Sequence, residues 1–187
     1  LYGHIVGEDF GDGDARLFFP SKIMGQFGAE TWGHWEVLGS YRLYLEYADT
    51  ECDFSFWRKI TNDGGGGQPG CAYRNSTYRT GQTYREKSFA HSADQDSSIY
   101  TLGVVLNDYD GNSWLTTIAA GNLNRRGANL STVAKNKTEY GEIEVSHRRV
   151  LGVATVNLGL GYEYRKDTET DEDDDDFRAF IELRFPR

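Results

Sequence analysis

The chain is poor in sulfur, in proline and in basic charge. Its 187 residues include 2 cysteines, 1 methionine and 3 prolines, and 29 acidic side chains against 20 basic ones leave a net charge of −9. With no basic stripe available to neutralise phosphates, nucleic acid is excluded as a partner. No run of about 18 apolar residues occurs, so no transmembrane helix is present. From Leu1 onward no basic segment leads into an apolar core, so no signal peptide is expected. The sequence then reads as an unexported protein, or as a mature piece or fragment. Two isolated cysteines fall short of a structural zinc site, and the histidines show no His-x-x-x-His spacing. Neither metal nor cofactor is expected.

Helical periodicity is nearly absent; period-two stretches recur instead. Leu1 to Glu8 alternates weakly. From Ile23 to Val37, Ile23, Phe27, Ala29, Thr31, Trp35 and Val37 share one face, with Gln26, Glu30, His34 and Glu36 on the other. Tyr41, Leu43, Leu45 and Tyr47 mark a third strand, and Tyr100, Leu102, Val104 and Leu106 a fourth. Trp114 to Ala120 is a fifth and Thr138 to Arg148 a sixth. The seventh places Val150, Ala154, Val156, Leu158, Leu160, Tyr162 and Tyr164 on one face. The eighth, Phe177 to Phe185, sets Phe177, Ala179, Ile181, Leu183 and Phe185 against Arg178, Glu182 and Arg184.

Short joints at Leu38-Gly39, Asp110-Gly111 and Arg149 to Gly152 alternate with long links at Asp9 to Lys22, Thr50 to Ser97, Gly121 to Lys137 and Lys166 to Asp176. Strict alternation of this kind marks an antiparallel up-and-down transmembrane β-barrel, with short periplasmic turns and long extracellular loops. A Greek-key sandwich has no reason to show it. Mean hydropathy of −0.63 does not argue otherwise, because barrel strands are only half apolar. Aromatic residues near strand ends (Trp35, Tyr41, Tyr47, Tyr100, Trp114, Tyr162, Tyr164 and Phe185) suit a membrane–water boundary. A soluble β core is the alternative. Cys52 and Cys71 bracket the run Gly64 to Gly67, and a disulfide closing that loop is favoured over free thiols.

Several stretches resemble the Wzi family of capsule-assembly outer-membrane proteins. They are Ile5-Val6-Gly7-Glu8-Asp9, Phe19-Pro20-Ser21-Lys22 running into Gly25-Gln26-Phe27-Gly28-Ala29-Glu30-Thr31, and Leu45-Glu46-Tyr47-Ala48-Asp49-Thr50-Glu51-Cys52. Cys71-Ala72-Tyr73 and His91-Ser92-Ala93-Asp94-Gln95-Asp96-Ser97 complete the set. The resemblance implies that residues 1–187 form one β-barrel segment, the C-terminal portion of a larger barrel of about eighteen strands, in the outer membrane of a Gram-negative bacterium. It further implies a surface lectin, not an enzyme, that helps attach or assemble the capsule. Expected partners are capsular polysaccharide, outer-membrane lipid and lipopolysaccharide, with the chain acting as a monomer. The alternative is a porin or transport barrel in which Arg42, Glu46, Glu142, Glu144, Arg178, Glu182 and Arg184 tune solute passage.

For sugar binding, the 50–97 loop supplies flat rings to cover a sugar's apolar face and charged donors to hold its hydroxyls or carboxylates. Candidates are Trp57, Arg58, Tyr73, Arg74, Tyr78 and Tyr84, joined by Arg125 and Arg126 from another long link. Each could instead merely fold its loop. Glu169 to Asp176 holds seven acids without the spacing of a calcium loop, so a solvated loop tip is expected over 166–176. His91, Ser92 and Asp94 invite a catalytic triad, but neighbouring loop positions seldom give triad geometry.

Overall fold

The computed structural model describes residues 1–10, 20–52, 69–70, 72–73, 83–84, 87–88, 91–127 and 131–185. Among these described residues there are ten strands: β1 (Tyr2–Phe10), β2 (Pro20–Trp35), β3 (Gly39–Asp49), β4 (Thr83–Tyr84), β5 (Lys87–Ser88), β6 (Ser98–Asn107), β7 (Ser113–Leu123), β8 (Thr138–Leu151), β9 (Ala154–Asp167) and β10 (Glu172–Arg184). Eight form one antiparallel sheet in the order β1-β2-β3-β6-β7-β8-β9-β10, while β4 and β5 pair apart as a short hairpin inside the 50–97 link. The up-and-down barrel topology expected from the sequence is thus present. Among the described residues β1 and β10 each have a single neighbour, so the sheet is open.

Register assigns every side chain to one of two faces. The row Ala29, Leu45, Leu102, Ile118, Ile143, Tyr162, Phe177 crosses seven strands without a charge. Beside it, the row Tyr2, Gly28, Glu46, Thr101, Ala119, Glu142, Glu163, Asp176 crosses all eight on the opposite face. The apolar face is bare: Leu160, Phe177 and Ile181 are 68%, 80% and 69% exposed. On β9 it runs from Ala154 to Tyr164, about 33 Å along the strand. At the usual barrel tilt that is about 25 Å of height, matching the apolar band of an outer-membrane barrel. Ring pairs stand toward both ends of this face, Trp35–Tyr41 and Trp114–His147 at one end and Tyr47–Tyr100 and Tyr162–Phe177 at the other.

Two short turns follow their sequence signals. Gly39 adopts φ +92°, and a Cβ there would lie 2.1 Å from the Asn107 carbonyl oxygen, so glycine is required. Asp108 caps the 108–112 turn, its Oδ1 accepting from the Asp110 and Asn112 amides at 2.9 and 2.8 Å, with Gly111 at φ +81°.

Two expectations are corrected. Val150 belongs to β8, not to the following strand, because it pairs with Thr155 across a turn at 152–153. More consequentially, 166–176 is not a loop. Glu172 to Asp176 pair with Glu163 to Asp167, and the link shrinks to 168–171, ending the strict alternation of link lengths. Aspartate is a poor strand former, but the hairpin supplies partners. The hydroxyls of Tyr162 and Tyr164 donate to Asp175 and Asp173 at 2.9 and 3.2 Å, and Lys166 meets Asp171 at 2.7 Å. Asp167 closes the turn by accepting from the Glu169 and Thr170 amides.

Candidate functional site

Burial concentrates where the 50–97 and 124–137 links leave the sheet, and there it is mostly polar. Asp49, Thr50, Glu51, Asp94, Gln95, Asp96, Ser97 and Asn124 are all buried. Such groups persist only when hydrogen-bonded, and a web of short bonds supplies this. The Thr50 amide donates to the Ser97 carbonyl at 2.9 Å, and the Ser97 amide donates to Thr50 Oγ1 at 3.0 Å. Ser97 Oγ donates to the Ala93 carbonyl at 2.7 Å. Asn124 Nδ2 donates to the carbonyls of Ala134 and Lys135 at 3.1 and 3.0 Å, and the Thr132 amide donates to Asp94 Oδ2 at 2.6 Å. Asp94, Asp96 and Asn124 all have positive φ, a conformation that Asn and Asp tolerate better than other side chains. Burial pushes the Asp96 carboxyl up, against the Gly70 amide that donates to it and the nearby Arg126.

Both loop arginines turn into this knot. Arg125 Nη2 donates to Asp49 Oδ1 at 3.0 Å and Glu51 Oε2 at 2.6 Å, and Arg126 Nε lies 3.5 Å from Glu51 Oε1. Of the other sugar-binding candidates, Tyr73 is half-buried at positive φ beside the cluster of Met24, Cys52 and Ala72. Tyr84 lies on β4. Trp57, Arg58, Arg74 and Tyr78 lie outside the described residues, as does Cys71, so the Cys52–Cys71 bond stands as an expectation for chemical test. Cys52 is fully buried.

Below the knot the polar face carries a chain of paired charges. Tyr140 donates to Glu142 at 2.5 Å, and Arg178 of β10 bonds Glu142 of β8 and lies 3.8 Å from Glu163 of β9. Arg165 pairs with Glu163 at 2.5 Å and donates from Nη1 to the Val133 carbonyl at 2.8 Å, tying the 131–134 segment to the sheet. Between sheet and knot lies a cavity of about 430 Å³ lined by Glu46, His91, Thr101, Thr117, Tyr140 and Arg178, among others. A smaller one of about 290 Å³ opens between His4, Gln26, Asp49, Tyr73 and His91. Mixed carboxylate, hydroxyl and aromatic linings of this kind suit polyhydroxylated ligands.

No triad forms at His91, Ser92 and Asp94. His91 Nδ1 accepts the Ala93 amide at 3.2 Å, and Asp94 is engaged with Thr132 on the other link. Burial holds the His91 imidazole below its ordinary pKa. Among the described residues no group of three or more His, Cys, Asp or Glu side chains could hold a metal ion.

Sequence reasoning missed the network that Glu163 and Arg165 build with Tyr140, and missed the knot altogether. The available signal was the density of short polar residues at strand ends, Asp49-Thr50-Glu51 and Asp94-Gln95-Asp96-Ser97.

No family model and no curated protein matches the chain. Among solved structures its fold is similar to that of Wzi from Escherichia coli, an outer membrane protein involved in group 1 capsule assembly and a carbohydrate-binding β-barrel. The TM-score is 0.74 at 20% identity, over 97% of this chain and 36% of that one. The fold is that of a Wzi-like barrel segment. At this identity the likeness is one of fold, and the chain spans about a third of the length of Wzi. The resemblance read from the motif blocks therefore holds at the level of architecture.

Proposed function

We propose that the chain is a segment of an outer-membrane β-barrel that binds capsular polysaccharide at the cell surface and helps attach or assemble the capsule, without catalysing a reaction. The observation that carries this reading is the division of the sheet. One face is apolar and bare over a membrane's height, while the polar face ends under a knot of buried side chains from the described parts of the 50–97 and 124–137 links. Wzi supplies the ligand class by analogy of fold. Trp57, Arg58, Tyr73, Arg74, Tyr78 and Tyr84 are the proposed contacts in the 50–97 link. Arg125 and Arg126 contribute by bracing Asp49 and Glu51 at its base. The long links would face outward and the short turns the periplasm, and β1 and β10 would pair with further strands of a larger barrel.

The test is retention of purified capsular polysaccharide by the protein in detergent micelles, compared with a Trp57→Ala, Tyr78→Ala double variant. Saturable retention that the variant loses is expected. Equal retention by both, or none by either, would remove the proposal. A transport barrel is the second reading, favoured only by the charged polar face. Steady open current in planar bilayers would support it.

A further inference from the structure

The apolar face holds one basic pair at its short-turn end. His147 and Arg149 alternate with Arg148 along β8, so both project from the apolar face about 7 Å apart. The His147 ring stacks on Trp114, with centroids 4.1 Å apart and planes at 27°. Its Nδ1 is buried without a partner, which leaves Nε2 as the nitrogen available to an outside group. Beside the ring runs an apolar groove of about 560 Å³ lined by Trp114, Val145, His147, Leu158, Leu160 and Ile181. Of the acids at this end, Glu36, Asp108 and Asp110 lie in turns, and Glu182 of β10 projects from the opposite face, where Arg184 bonds it. Asp108, the one close enough to feel His147, is already engaged by the Asp110 and Asn112 amides and by Asn112 Nδ2 at 2.8 to 2.9 Å.

We propose that His147 and Arg149 bind the phosphate of an anionic phospholipid whose acyl chain lies in the groove beside Leu158 and Ile181. The chemistry selects this occupant. A basic pair with an aromatic neighbour meets a phosphate, and the groove running from it toward mid-strand meets only hydrocarbon. Arg149 stands opposite Val156, about 7 Å along the strand from Ala154 where the apolar stretch of β9 begins, so its long side chain can reach that edge, with His147 one pair deeper beside Trp114. The inference rests on the membrane reading above.

The experiment reconstitutes the protein in vesicles containing phosphatidylcholine or phosphatidylglycerol with brominated chains. Quenching of Trp114 is read as the difference between wild type and Trp114→Phe. Brominated phosphatidylglycerol should quench Trp114 at about fivefold lower lipid fraction than phosphatidylcholine, the preference conferred by one basic side chain at an anionic surface. Arg149→Gln should abolish that preference and His147→Gln should reduce it. Equal quenching by both lipids, or a preference intact in both variants, overturns the site while leaving the membrane reading in place. Quenching by neither lipid overturns both. Loss of the preference on adding inorganic phosphate would show that a free anion, not a lipid, is what the pair binds, and would also overturn the proposal.

Discussion

Asn124 is the position at which the loop knot is most exposed to perturbation. Its side chain is fully buried, its backbone sits at φ +49°, and its amide donates to the carbonyls of Ala134 and Lys135. Asn124→Ala removes both donors and leaves two carbonyl groups facing an apolar methyl. A buried group left unsatisfied costs about 1 to 3 kcal/mol, and alanine in a left-handed conformation adds about 1 kcal/mol. The total is about 3 to 7 kcal/mol against the closed state of the 131–135 segment. Because the strands keep their own pairing, the loss should be local. Amide exchange at Thr132, Val133 and Ala134 should accelerate by about 100-fold or more, while amides in the middle of β7 and β8 stay protected. Asn124→Gly separates the two causes, since it removes the donors without the backbone cost and should exchange about fivefold more slowly than the alanine variant. Unchanged exchange in Asn124→Ala would refute the reasoning. So would collapse of the whole sheet, which would show that the knot supports more than its loops.

Four further outcomes follow from the same geometry. Gly103→Ala would place a Cβ 1.9 Å from the Tyr44 ring and should cost about 1 to 3 kcal/mol in urea unfolding, whereas Gly141→Ala meets nothing within 4 Å and should leave the midpoint unchanged; equal effects would disprove the packing of Tyr44 over Gly103. Ile181→Arg on the bare face should cost about 2 to 4 kcal/mol in lipid vesicles if it lies near the midplane, and an insensitive site would count against immersion of this face. Cys52 and Cys71 should resist a thiol reagent until reduced; rapid labelling of the native protein would contradict the bond. Burial holds His91 below its ordinary value of 6.5 and so disfavours its protonation in the folded protein. Its contribution to stability is therefore present above pH 6.5 and is lost as pH falls through the folded pKa. A ring titrating at or above 6.5 by NMR would reverse that sign.

The strands were legible because period-two alternation survives wherever one face must be apolar. Tyr41 to Tyr47 and Ala154 to Tyr164 land on the faces their sequence predicts. The acidic run misled because propensity was read without its partner strand. Nothing local announces that Tyr162 and Tyr164 will offer hydroxyls to Asp175 and Asp173. The knot was illegible for a related reason. Asp49, Asp96 and Asn124 lie far apart in the chain, and no periodicity links them. The paired positions of Arg125 and Arg126 were hidden likewise, since a charged residue in a long link looks the same whether it meets solvent or Glu51.

Where burial falls argues most strongly about the solvent of this sheet. A soluble β-domain covers its apolar faces and keeps carboxylates outside. Here Leu45, Leu102, Ile118, Ile143, Leu158 and Leu160 are all exposed in one continuous field, while Asp49, Asp96 and Asn124 are sealed. A bare field spanning seven strands would promote association in water. In a bilayer the same field is at its lowest free energy, because hydrocarbon covers it at no further cost in protein structure. The loop knot, standing beyond that band, can then be polar and still order long links, because hydrogen bonds and ion pairs do there what apolar packing would do in a small soluble core. On the membrane reading proposed above, exposure of one face and the polar burial beyond it follow from a single arrangement, a sheet immersed along its strands and braced by its loops.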